Sequence, residues 1–146
     1  VQTNTPTTEG TGGRSGGIVG TLTTGWIPAD PLRLRDLRKQ LTQWGYRVGL
    51  NPEQVQSLGL AAYEALANIV DHAYSTVPVV NRELLVTAEV VSGAAVITIR
   101  DHGRWRPAPV SPGPRGHGLL LMRRLADDVR IDATERGTSV TLCWQL

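Results

Sequence analysis

Between Leu58 and Ala73 the chain is apolar almost all the way around a helix, and such a segment folds only where something covers it. Leu58, Ala62, Ala65, Ile69 and Ala73 form one stripe at helical spacing, while Leu60, Ala61, Leu66, Ala67 and Val70 fill most of the remaining circumference. Glu64, Asn68, Asp71 and His72 interrupt the run, so it does not read as a membrane span, which needs about 20 apolar residues. The cover must come from the rest of the chain, and 146 residues make one ordinary domain with one core. An apolar share of 40% with 19% charged residues is that of a globular protein. A net charge of +2 is too small to argue for a nucleic-acid partner. The single cysteine, Cys143, cannot form an internal disulfide or a cysteine-based zinc site, and it points to a reducing, cytoplasmic setting.

On this mostly covered helix Glu64, Asn68, Asp71 and Ser75 follow one another at α-helical spacing and share one narrow polar line. A covered carboxylate and amide need partners, because an unpaired buried charge costs several kcal/mol. A solvated cavity holding a cation and phosphates supplies them. The Asn68 side-chain carbonyl suits Mg²⁺, and Glu64 could take a proton from a hydroxyl that attacks a terminal phosphoryl group. A half-exposed helix face explains the same line without any ligand.

The flanking segments give an α+β order with mostly antiparallel strands and the helices on one face. Residues 1–17 are rich in Thr and Gly and read as a flexible linker or tail, expected of a piece cut from a longer polypeptide; residues 18–146 form the domain. Ile18 to Thr24 reads as a strand that runs into the breakers Pro28 and Pro31. Leu34, Leu37 and Leu41 mark a helix with Arg33, Arg35, Arg38 and Lys39 between them, ended by Gly49. Asn51-Pro52-Glu53-Gln54 starts the next helix with a cap, an N1 proline and a capping-box glutamine. Leu84 to Val91 and Ala94 to Arg100 form a hairpin about Ser92-Gly93, a helix follows from Gly118, and Val129 to Ala133 and Thr138 to Trp144 are strands.

Strand alternation puts Asp101 on the same face as Ile97 and Ile99, so a carboxylate ends a row of core-facing side chains. The exocyclic amine of adenine is one donor for it, and a local backbone turn through Gly103 is the other. Gly116-His117-Gly118 leads into a helix beginning with Leu119, where free N–H groups bind anions, although a plain turn has the same pattern. Arg104, Arg106 and Arg115 lie in a Pro- and Gly-rich loop that is either a lid over a triphosphate or a solvated basic loop. Thr138 shares a strand face with Val140, Leu142 and Trp144. His72, His102 and His117 lie on separate elements and read as supporting or capping residues, and the four tryptophans are scattered.

Taken in order, Glu64-Ala-Leu-Ala-Asn68-Ile-Val-Asp71-His72, Asp101-His-Gly103, Arg115-Gly116-His117-Gly118-Leu119 and Gly137-Thr138 resemble the GHKL nucleotide-binding superfamily. Within it the chain looks most like the bacterial anti-sigma factor serine kinases and their histidine-kinase-like ATPase relatives. The resemblance implies a two-layer α/β sandwich of the Bergerat ATP-binding type, with ATP and Mg²⁺ as ligands. It implies Glu64 as the catalytic base, Asn68 as the metal ligand, and Asp101 with Gly103 at the adenine. Asp71, His72, Arg104, Arg115, Gly116, His117, Gly118, Leu119 and Thr138 complete the implied nucleotide set. Where relatives often carry Asp-x-Gly-x-Gly, this chain has Trp105 in place of the second glycine, a ring that either stacks on the base or restricts the pocket.

The activity so implied is transfer of phosphoryl from ATP to a serine of an anti-sigma factor antagonist, together with sequestration of a sigma factor. The other reading is a catalytically weak or inactive nucleotide-binding module joined to phosphatase or sensor domains; a homodimer is open under both. Neither reading includes direct contact with nucleic acid or membrane.

Overall fold

The computed structural model describes residues 20–73, 82–103 and 118–146. The elements run β1 (Leu22–Pro28), a 3₁₀ turn (Pro31–Arg33), α1 (Leu34–Val48), α2 (Pro52–Asn68), a π turn (Ile69–Ala73), β2 (Glu83–Val91), β3 (Ala94–Asp101), α3 (Gly118–Leu125), β4 (Asp128–Thr134) and β5 (Gly137–Gln145). The strands form one sheet in the order β1-β2-β3-β5-β4. Every pairing among the described residues is antiparallel, so the sheet is an open antiparallel one. With the three helices it makes an α+β two-layer sandwich, as the order of elements in the sequence suggested.

Alternation along the strands decides which face the helices cover. Leu84, Val86 and Ala88 on β2, Ala95, Ile97 and Ile99 on β3, and Val140, Leu142 and Trp144 on β5 are buried and join Leu37, Leu41 and Trp44 of α1 and Leu58, Ala62 and Ala65 of α2 in one core. Burying each large side chain contributes about 1.5–3 kcal/mol; Arg35, Lys39 and Arg47 of α1 stay exposed, while Arg38 lies half-buried against Gly59 and over the Tyr63 ring of α2. The two buried indoles keep a polar partner: Trp44 Nε1 donates to the Gly20 carbonyl at 2.7 Å and Trp144 Nε1 to the Leu125 carbonyl at 2.9 Å.

The helix boundaries follow the caps in the sequence. Asp30 Oδ1 accepts from Leu32 N–H at the 3₁₀ turn, and Gly49 ends α1 in the left-handed region with φ 103°. At α2 the Gln54 N–H donates to Asn51 Oδ1 at 2.8 Å and the Asn51 N–H donates to Gln54 Oε1 at 3.0 Å. The same Gln54 donates through Nε2 to the Gln145 carbonyl, tying the start of α2 to the end of β5. The cover over α2 is incomplete, since Leu60 and Tyr63 are exposed.

The first strand differs from the sequence expectation. It spans Leu22–Pro28 rather than starting at Ile18, whose placement lies outside the described residues, and Pro28 is its last residue instead of a breaker beyond it. An edge strand tolerates a terminal proline because no further ladder bond depends on its missing N–H. The register of β1 on β2 slips between Thr23 and Trp26, a bulge in which Gly25 has φ 65°. Thr24 Oγ1 accepts from the Val86 N–H there, replacing a ladder bond. One extra residue reverses the alternation, so Ile27 stands opposite Leu84 on the helix side and Trp26 opposite Leu85 on the other side.

Candidate nucleotide site

Two groups of polar side chains lie on the helix-covered side of the sheet. The first joins α2 to α3. Glu64 and Asn68, one turn apart and both half-buried, face the first residue of α3. A Cβ built on Gly118 would stand 3.2 Å from Glu64 Oε2 and 3.4 Å from Asn68 Nδ2. Glycine at this position therefore leaves open a space bounded by a carboxylate, an amide and the N-terminus of a helix, whose first N–H groups lack partners within the helix. Leu119 follows with its side chain exposed.

The second group sits where β3 and β5 meet. Asp101 and Thr138 are direct cross-strand neighbours, 4% and 3% exposed, on a face otherwise made of Ile97, Ile99, Val140 and Leu142. Thr138 Oγ1 is buried without a hydrogen-bond partner among the described residues. Leaving a buried hydroxyl unsatisfied costs about 1–3 kcal/mol, so an orphan of this kind calls for a ligand group. Asp101 Oδ1 accepts from the Gly103 N–H at 2.8 Å, which is the backbone turn that the motif allowed. Gly137 is pressed against this turn: its φ is 147°, and a Cβ there would fall onto the Asp101 carbonyl oxygen.

The line of polar residues on α2 changes after Asn68. Ile69–Ala73 continues as a π turn, whose wider winding departs from the α-helical spacing that put Asp71 on the line, and the Asp71 side chain is exposed. The His72 side chain, Ser75, Arg104, Trp105, Arg106, Arg115, Gly116 and His117 lie outside the described residues. Among the described residues no cluster of three or more His, Cys, Asp or Glu side chains could hold a metal. A magnesium ion bridging substrate phosphates needs only one or two protein oxygens.

Two features of the site are not prominent in the sequence. Gly137 looks like an ordinary turn glycine, and only the pairing of Asp101 with Thr138 shows why a side chain has no room there. His102, between Asp101 and Gly103, stacks on Trp26 from β1, a pairing that depends on the bulge.

Comparison with known proteins agrees with this fold. Residues 27–144 match the family model described as Histidine kinase-like ATPase domain. Among solved structures, the RsbU and RsbW domains of Rv1364c from Mycobacterium tuberculosis superpose with a TM-score of 0.69 at 25% identity, over 86% of this chain and 32% of that one. The present chain thus spans about a third of that protein's resolved length. The histidine kinase domain of the blue-light activated kinase from Erythrobacter litoralis EL346 has the same fold, with a TM-score of 0.58 at 20% identity over 82% of this chain and 62% of that one.

Proposed function

The chain belongs to the histidine kinase-like ATPase domain family, and from that membership we propose that it binds ATP with Mg²⁺ beside α2 and α3 and acts as a protein serine kinase of the anti-sigma type. ATP binding is what the family implies; the residue roles, the serine specificity and the partners are this proposal. The observation that carries it is the cradle at Gly118, where the carboxylate and the amide bound a space that any Cβ would fill. The orphan hydroxyl of Thr138 beside Asp101 is a second group that fits a purine or its attendant water.

Asp101 would accept a hydrogen bond from the exocyclic amine of adenine, with Gly103 and Gly137 keeping side chains out of the way. Asn68 would offer its carbonyl oxygen to Mg²⁺, and the N-terminus of α3 would face the phosphates. When bound, ATP would supply the transferable phosphoryl group and Mg²⁺ would offset the negative charge around it. Glu64 would orient the serine hydroxyl of the substrate and take up its proton as the ester bond to the γ-phosphorus forms and the bond from that phosphorus to the bridging oxygen breaks, leaving ADP. Gly116 and Gly118 would cradle the phosphates, and an arginine of the loop, Arg104 or Arg115, would pair with the terminal one.

An anti-sigma factor antagonist is the proposed substrate and a sigma factor the proposed second partner, on the strength of the motif resemblance and of the likeness to a chain that carries an RsbW domain. That chain also carries an RsbU domain, which supports a multidomain setting. A cytoplasmic location is part of the proposal; no helix among the described residues is long and apolar enough to cross a membrane, which says nothing of β-barrels.

Calorimetric titration with ADP and Mg²⁺, followed by transfer from labelled ATP to a candidate antagonist, tests the reading. Asp101→Asn is expected to abolish nucleotide binding, and Glu64→Ala to keep binding and lose transfer. Transfer by Glu64→Ala at the wild-type rate would remove the proposed base. Binding without transfer in the wild type would favour the regulatory-module reading, to which Trp105 lends some weight.

A further inference from the structure

On the face of the sheet away from the helices, the indole of Trp26 stacks on the imidazole of His102, with ring centroids 3.8 Å apart and planes 22° from parallel. Trp26 is paired with Leu85 and Leu85 with Arg100, so the ring reaches from the edge strand across β2 to the residue just past β3. Two observations set this contact apart from packing. Trp26 remains 40% exposed and His102 is exposed, so the pair adds little to the core. The chain also departs from regular pairing to place the ring there, through the bulge at Thr24 and Gly25.

His102 is the middle residue of the turn closed by the Gly103 N–H on Asp101 Oδ1. Asp101, the last residue of β3, turns its side chain to the helix side, whereas His102, the first residue past the strand, meets the Trp26 ring on the other face. The turn is therefore held from both sides: by its own hydrogen bond and Gly137 on one, by the indole on the other.

We propose that the Trp26–His102 stack is a positioning pair for nucleotide binding, holding the Asp101–Gly103 turn from behind so that the Asp101 carboxylate meets the purine already oriented. The inference rests on the nucleotide reading above. Neither ring touches the ligand; both act through the turn. Preorganising a hydrogen-bonding group raises affinity by removing the cost of ordering it at the moment of binding.

The test compares wild type, Trp26→Ala, Trp26→Phe, His102→Ala and the double alanine variant by calorimetric titration with ADP, and by amide hydrogen exchange of Gly103 without nucleotide. Trp26→Ala is expected to weaken ADP binding by about three- to tenfold and to quicken Gly103 exchange. Trp26→Phe should restore both, and the double variant should be no weaker than either single one. Should Trp26→Ala not fold, His102→Ala, an exposed change outside the strands, carries the same two readouts. Gly103 exchange at the wild-type rate in the alanine variants overturns the proposal, as does unchanged ADP affinity against a wild type that binds. A wild type that binds no ADP would sink the nucleotide reading and with it the ligand half of the inference, whereas the exchange data would still decide whether the stack holds the turn.

Discussion

Under the proposed nucleotide reading, stability and ligand binding make opposite demands on Thr138. Its buried hydroxyl has no partner among the described residues, so Thr138→Val, nearly the same shape without the oxygen, should leave the ligand-free protein as stable or up to about 1 kcal/mol more stable. ADP affinity should fall in the same variant, as urea denaturation and calorimetry would show together. Gly137 gives the opposite pattern. With φ at 147° and the Asp101 carbonyl in the place of a Cβ, Gly137→Ala is expected to destabilise by at least about 2 kcal/mol in urea denaturation. Cys143 lies outside both groups, half-buried on the outer face of β5 opposite Asp128. Desolvation, and then the Asp128 carboxylate, push its thiol above the usual range. At pH 8 iodoacetamide should therefore alkylate it more slowly than a free cysteine. The unfolded chain releases this proton first, so its effect on stability is nil at neutral pH and becomes destabilising as pH rises past about 8.5. Glu64, Asn68, Asp101 and Thr138 were legible as candidates because a polar residue at a core-facing position stands out against the period of its helix or strand. The need for glycine at position 137 was not, because it arises from a neighbour 36 residues away in sequence, across the β3–β5 pairing.

The elements were legible wherever their ends are written in side chains. The capping box of α2 is an example, and Asn51→Ala, which removes one acceptor from it, should cost about 1 kcal/mol in thermal or urea denaturation. The hairpin of β2 and β3 turns at Ser92 and Gly93, both with positive φ, where the sequence places a short polar turn between alternating runs. Two elements were read less well, for related reasons. In β1, read from the sequence as Ile18 to Thr24, the strand runs on to Pro28 through a bulge that reverses which side chains face the helices. After Asn68 a wider turn replaces the α-helical one, so the spacing that carried the polar line to Asp71 does not continue unchanged there. Both are departures from a constant period, and a period is what such a reading assumes. Both also fall beside the candidate site, one just past Asn68 and the other beneath the ring that meets His102.

As a whole the molecule depends on one core shared by the sheet and the helices, with Trp44 buried on α1 and Trp144 on β5. Leu41→Ala in α1 should therefore destabilise the entire domain by about 2–5 kcal/mol. Tryptophan fluorescence and far-UV circular dichroism should shift to the same new denaturant midpoint; separate midpoints would indicate two cores. The architecture followed from the order of helical and strand patterns, since an apolar helix such as α2 has few alternatives to lying across a sheet. The neighbour relations did not follow, because nothing in the sequence says that the last strand inserts between the third and the fourth. That insertion also gives the domain two poles. β5 begins beside Asp101 and ends opposite Ala94, where Gln54 grips the Gln145 carbonyl at the start of α2. Nine extended residues span about 30 Å. A fluorophore or affinity handle attached after Leu146 would thus leave from the far pole, and the end at Asp101 and Thr138 could be titrated on an immobilised sample without obstruction.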